Sequence, residues 1–263
     1  MQDLREQLTF VTVGYNSATV LSSHIEFYCR SATEAVPRWL VVDNASTDGT
    51  AKLLQNYPEV ELLQNDKNLG FGAACNRGIA AADTRYVLVL NPDTELSEAG
   101  VRDLLAELQQ REAAIAGPAL QPEANSDVEE VNWLIGAVLL MDTTLMNDVG
   151  YFDERFFLYE EDKDICKCAK DAGLKVIHCR NVSIPHVGGG STERSKAVNE
   201  FIHFHRGRSY VLYAQKHGLG QAAIDRFVAA NRRRCLVALA TFGVRRYRRA
   251  KAKLEGVKSV APS

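Results

Sequence analysis

Short apolar runs alternate with stretches of helical length through the first half of the chain. LTFVTVGY, WLVVDN, VELLQN and RYVLVLN each read as a strand, with helices expected near Ser17 to Arg30, Asp48 to Tyr57, Ala73 to Ala82 and after Ser97. Val87 to Leu90 shows no polar alternation, the pattern of a strand covered on both faces. Strand, helix and strand in succession make a βαβ series. Its right-handed crossovers gather the carboxyl ends of the strands on one rim, where open α/β sheets bind ligands.

AIAGPAL and WLIGAVLLMD extend the strand pattern on either side of an acidic, turn-rich connector, QPEANSDVEE, that reads as a surface loop. EEDKDICKCAKDAG reads as a helix with acids in its first turn and Gly173 just past its end, followed by strand LKVIHC. From Ser195 the pattern is helical to about Lys253. The expected fold class is α/β: a mixed, mostly parallel central sheet flanked by helices, with a C-terminal helical extension.

With 46% apolar and 24% charged residues, the composition excludes disordered and fibrous classes. The net charge of −2 conceals an asymmetry, since eleven of the 31 Lys and Arg lie from Arg226 onward against the single acid Glu255. This tail lacks the aromatic platform or reading motif of a nucleic-acid binder. Apolar Leu236 to Val244 between its basic clusters instead suits a helix lying on an anionic membrane surface. MQDLREQ lacks the charged-then-apolar order of a signal, and Cys235 to Val244 is too short to span a bilayer. Six cysteines without paired spacing suit a reducing cytosol, and buried thiols rather than a zinc site are expected at Cys166 and Cys168.

Candidate chemistry concentrates at the strand ends. WLVV ends on Asp43, and VLVL ends on Asn91, Pro92 and Asp93; Pro92 cannot donate to a sheet ladder, so Asp93 leaves it. Asp43 and Asp93 are thus expected at two neighbouring strand ends. Each alone reads equally as a turn or cap acid, with Ser46, Thr47 and Asp48 available as caps for the following helix. A nicotinamide site would need G-x-G-x-x-G after the first strand, where this chain has VGYNSA. Gly70, Gly72, Ala73 and Ala74 allow close backbone approach to a nucleotide or phosphate, with Asn68 and Asn76 as neutral partners. Glu160, Glu161 and Asp162 follow an aromatic run and begin a helix, where one carboxylate beside Phe156, Phe157 and Tyr159 becomes a better base if partly desolvated. His186, before a glycine-rich loop expected to be mobile, is a further ligand candidate.

Taken in order, VTVGYN, VVDNASTDGT, NDKNLGFGAACNRGI, VLVLNPD, GAVLLM, GYFDERFFLYEEDKDIC and His186 resemble the family 2 glycosyltransferases over Leu8 to His217, and within them the rhamnosyltransferase-like subgroup. The resemblance implies a GT-A, Rossmann-like fold: a catalytic domain over 1–217, with a nucleotide-sugar half to about residue 95 and an acceptor half from 96, and a basic helical tail over 218–263. Tyr15, Asn16, Asp43, Asn44, Asn68, Gly70, Asn76, Asn91 and Asp93 are then expected around the nucleotide-sugar, with Asp43 on a pyrimidine base. Asn91 stands where the family has the first acid of D-x-D, leaving Asp93, with His186, to hold a divalent cation, Mg or Mn. Asp162 is implied as the base that deprotonates the acceptor hydroxyl, with Glu161 one helical step away as the alternative. The implied activity is inverting sugar transfer, from dTDP-L-rhamnose or a UDP-sugar, to a bacterial surface glycan or lipid-linked acceptor at the inner face of the cytoplasmic membrane. Two competitors remain. A sugar-phosphate nucleotidyltransferase would need a Gly-rich, basic loop after the first strand, and a non-catalytic nucleotide-sugar-binding protein would show no transfer.

Overall fold

The computed structural model describes residues 3–33, 36–121, 127–186 and 195–260. In chain order, α1 (Leu4–Gln7), β1 (Leu8–Gly14), α2 (Ala18–Ser31), β2 (Arg38–Asp43), α3 (Thr50–Leu54), β3 (Val60–Gln64), α4 (Phe71–Ala81), β4 (Tyr86–Leu90) and α5 (Glu98–Arg111) come first. They are followed by β5 (Ile115–Ala119), β6 (Val128–Glu130), β7 (Val138–Asp142), α6 (Thr143–Met146), α7 (Glu161–Asp171) and β8 (Val176–Ser183). Three helices, α8 (Lys196–Lys216), α9 (Gln221–Ala240) and α10 (Val244–Lys258), complete the order.

The eight strands form one sheet in the order β3-β2-β1-β4-β7-β5-β8-β6. β1 pairs in parallel with both β2 and β4, while β7 runs antiparallel between β4 and β5. Asp43 and Asp93 therefore do not follow neighbouring strands, because β1 lies between β2 and β4. Side chains alternate between two covered faces. Phe10, Trp39, Leu88 and Leu90 join α2 and α5 in one core, and Val11, Val42, Val87 and Val89 join α4 and α7 in the other. Phe10 anchors the first core, edge to face with Tyr28 at 5.1 Å and with Trp39 at 5.4 Å.

Several boundaries differ from the sequence pattern. α3 spans only Thr50–Leu54, because Gly49 enters it at φ 88° and Asp48, instead of capping by itself, accepts from Ala18 N and Thr50 N. Part of the connector expected as loop is strand: β6 adds antiparallel to β8. Residues 122–126 of that connector and the glycine run within 187–194 lie outside the described residues. Glu160 is not the first residue of α7; it precedes the helix at φ 68°, next to Tyr159 at φ 69°. Cys166 is buried and Cys168 half-buried, and neither forms a disulfide among the described residues.

The chain divides into two compact units, Met1–Phe152 with Asp162–Thr192, and Asp153–Glu161 with Glu193–Ser263. The first contains the sheet. In the second, α8 groups with α9 and α10. Gly207 and Gly256 let α8 and α10 pack backbone to backbone, since a Cβ on Gly207 would meet the carbonyl of Lys253 and one on Gly256 that of Phe204. Segment 153–161 is tied to α8 within this unit: Ser209 Oγ donates to Leu158 O at 2.9 Å and Lys216 Nζ pairs with Asp153 at 3.0 Å.

Candidate active site

The end of β2 presents a carboxylate with an unused oxygen. Asp43 is fully buried, its Oδ1 accepts from Ser46 N at 3.3 Å, and its Oδ2 meets no hydrogen-bond donor among the described residues. Buried carboxylate oxygens are costly to leave unpaired, which makes this one the acceptor at the site that is open to a donor from outside the described residues. The adjoining polar residues shape its surroundings. Asn16, at φ 50°, accepts through Oδ1 from Thr47 N at 2.8 Å, and Tyr15 beside it is exposed.

Asn44 holds the next loop. Its Oδ1 accepts from Asn65 Nδ2 and Leu69 N, and its Nδ2 donates to Asn68 Oδ1 and to the carbonyl of Gly70. All four bonds lie between 2.9 and 3.2 Å, which fills the usual capacity of a buried amide. Asn68 Oδ1 also accepts from Gly70 N. Gly70 itself sits at φ 88° and ψ 170°, a region open to glycine, and starts α4. Asn76 on that helix uses both ends of its amide on the backbone of Phe152, at 2.7 and 3.0 Å. Asn44 and Asn76 thus brace the rim of the site through protein contacts.

Beyond β4 the chain turns through Asn91 to Thr94. Asn91 N donates to Ala137 O at 2.8 Å, and Thr94 Oγ1 closes the turn on Asn91 O at 2.9 Å. Asp93, buried within this turn, places Oδ1 3.0 Å from His186 Nε2. His186 is brought there by a single bridge to Thr94 and by its own N–H to Leu120 O. That distance is a hydrogen bond between the two side chains, and a carboxylate beside an imidazole is also a donor set that suits a divalent cation.

His24, which the motif reading did not single out, supports this turn from α2. Its Nδ1 lies 2.7 Å from Thr94 O and its ring stands edge to face with Trp39 at 5.1 Å. Burial pushes its pKa down to about 4 against the raising effects of the Thr94 bond and the Asp93 charge, which leaves the ring neutral at neutral pH. A signal was present in the sequence: His24 occupies a core position of the Leu21, Ile25, Tyr28 stripe, where a polar residue needs a partner.

The third group stands at the start of α7. Asp162 accepts from Gly136 N at 3.1 Å through Oδ2 and from Lys163 N at 2.8 Å through Oδ1. Gly136 leaves this approach uncrowded, because a Cβ there would come within 3.2 Å of the Asp162 Cβ, and one of the two would have to shift by a few tenths of an ångström. Asp162 is half-buried, whereas Glu161 and Asp164 are buried, so of the three it is the one open to an incoming group. The dipeptide Gly136-Ala137 joins the two sites directly: Gly136 N holds Asp162 and Ala137 O receives Asn91 N.

Known proteins share this architecture and pattern. Residues 9–181 match the family model described as glycosyl transferase family 2. An N-acetylglucosaminyl-diphospho-decaprenol L-rhamnosyltransferase of Mycobacterium tuberculosis is 28% identical over 81% of this chain and 86% of its own. A low-salt glycan biosynthesis hexosyltransferase, Agl10 of Haloferax volcanii, is 21% identical over 70% of this chain and 68% of its own. Among solved structures, a mannosyltransferase from Pyrobaculum calidifontis in complex with GDP-Man and Mn2+ superposes with a TM-score of 0.65 at 15% identity, covering 98% of this chain and 77% of that one.

Proposed function

The chain belongs to glycosyl transferase family 2, and from that premise we propose that it transfers a sugar with inversion from a pyrimidine nucleoside-diphosphate donor to a hydroxyl of a glycan or lipid-linked acceptor. The observation that carries this reading is the unused, buried Oδ2 of Asp43 at the carboxyl end of β2. Uracil and thymine offer a single imide N–H to such an oxygen, whereas guanine's N1–H and 2-amino group together suit both oxygens of a carboxylate, one of which Asp43 already commits to Ser46 N. The similarity to a rhamnosyltransferase supports dTDP-L-rhamnose as the donor. A lipid-linked acceptor would bring the enzyme to the inner face of the cytoplasmic membrane.

Asp93 and His186 would hold a divalent cation, Mg or Mn, which supplies positive charge against the donor diphosphate. Asp162 takes the proton of the acceptor hydroxyl as that oxygen attacks the anomeric carbon from the face opposite the diphosphate. The C–O bond to the diphosphate breaks as the new one forms, so a single displacement inverts the centre and no covalent enzyme intermediate arises. The amide N–H groups of Gly136 and Lys163 orient the Asp162 carboxylate for that task.

A panel of labelled UDP-, dTDP- and GDP-sugars, each with Mg, Mn or EDTA, tests the reading. Transfer from a pyrimidine donor that chelation abolishes is the expected result. A purine preference overturns the Asp43 assignment, and undiminished transfer in EDTA overturns the metal assignment. Nucleotide binding with no transfer to any acceptor fraction favours the binding-protein alternative.

A further inference from the structure

The turn between α9 and α10 exposes an apolar tip. Phe242 is 93% exposed, and Leu236, Val237, Leu239 and Val244 around it are each at least half exposed. The backbone makes this exposure conspicuous. Phe242 N donates to Leu239 O and Gly243 N to Ala238 O, a Schellman pattern in which Phe242, at φ 51°, occupies the left-handed position that glycine usually fills. A bulky aromatic is disfavoured there and gains almost no packing among the described residues in return.

Charge identifies what the tip meets. Between Asp225 and Glu255 the sequence holds ten Lys or Arg and no acid. Arg232, Arg233 and Arg234 lie before the tip and Arg245, Arg246 and Arg249 after it, all exposed. Among the described residues no helix is long and apolar enough to cross a membrane. An apolar point collared by cations matches the boundary between anionic headgroups and acyl chains.

We propose that this turn is a membrane wedge, in which Phe242, Leu239 and Leu236 enter an anionic bilayer while the flanking arginines bind its phosphates. The proposal extends the membrane placement above by naming the element that docks, and its test is independent of donor and acceptor.

The full chain is sedimented with vesicles of phosphatidylcholine, with and without phosphatidylglycerol. Partitioning is expected only onto the anionic vesicles. The pair Leu239→Asp and Phe242→Asp should reduce it at least about tenfold, as should the pair Arg245→Glu and Arg246→Glu. Asp tolerates a left-handed position better than Phe, so the first pair is compatible with the fold, and circular dichroism checks this. A single Phe242→Trp variant supplies a second readout: quenching by brominated lipid beyond that of the parent, whose Trp39 and Trp133 set the background. Absence of partitioning, partitioning unaffected by either pair, or no added quenching overturns the wedge. A Phe242-dependent dimer in size-exclusion chromatography without lipid overturns it in favour of a contact between copies of the chain.

Discussion

His24 donates its Nδ1–H to the carbonyl oxygen of Thr94 at 2.7 Å, fastening the turn that carries Asp93 to the helix behind it. A carbonyl can only accept, so this bond fixes the tautomer and leaves Nε2 as a bare lone pair in the core. His24→Phe keeps the ring volume and removes the donor. Metal-dependent donor affinity should weaken by about tenfold, the scale of one buried hydrogen bond. His24→Asn should recover part of it, because an Asn amide can reach the same carbonyl. Titration calorimetry with nucleotide and metal makes the comparison, and equal losses in both variants would reduce His24 to a packing residue.

Asp43→Asn retains an acceptor for Ser46 N only by placing an NH2 donor where the unused Oδ2 acceptor now lies. Affinity for UDP and dTDP should fall by roughly 10- to 100-fold, with little change in thermal stability without nucleotide. Thermal shift with and without each nucleotide reads both quantities at once. Unchanged nucleotide affinity would return Asp43 to the turn-forming role its sequence context also allows.

Asp162→Asn should lower transfer by roughly 10²- to 10⁴-fold at nearly unchanged donor affinity, since Asn keeps the size, accepts one of the two amide bonds and cannot take a proton. Glu161→Gln should cost far less because Glu161 is buried. Gly136→Ala displaces Asp162 without touching its chemistry, so it should lower kcat and leave the Kd for donor intact. A large loss in Glu161→Gln with none in Asp162→Asn would move the base by one residue.

Acid should destabilise the helical unit through two buried histidines. Burial pushes His203 and His205 down to about 4 from an ordinary 6.5, reinforced for His203 by Lys253, Arg206 and Arg249 and for His205 by Arg208. The unfolded chain therefore takes up protons that the fold refuses. This contribution is complete above about pH 6.5 and is lost progressively as pH falls toward about 4. The thermal midpoint should drop across that window, and the drop should be smaller in a His203→Gln, His205→Phe double variant measured by scanning calorimetry.

The strands flanking the site were legible because a strand covered on both faces leaves an unmistakable apolar run, as in Tyr86–Leu90. Their spatial order was not: β1 separates β2 from β4 through pairings of residues far apart in sequence, which periodicity does not encode. Asp43, Asp93 and Asp162 stood out because each carboxylate adjoins an apolar run. The supporting residues did not. Asn44 looks like a ligand contact in sequence and is a brace in space, because an amide reads the same whether its partners are protein or nucleotide. β6 was missed since Val128–Glu130 is too short and too acidic to resemble a strand, and only its pairing with β8 makes it one.

The position of β7 also bears on how the chain is made. β4 is complete at Leu90, yet the antiparallel strand that covers its outer edge ends at Asp142. At ribosomal speeds about fifty residues take roughly 3 to 10 s to appear. If the parallel half folds before β7 emerges, β4 would stand as an unpaired, apolar edge strand, a geometry prone to join another copy. β5 precedes β7 in the chain but cannot pair with β4 itself, since it joins the sheet through β7. The strand that makes the sheet continuous thus also sets when it becomes safe. Chains stalled between β5 and β7 are the ones that should depend on chaperones.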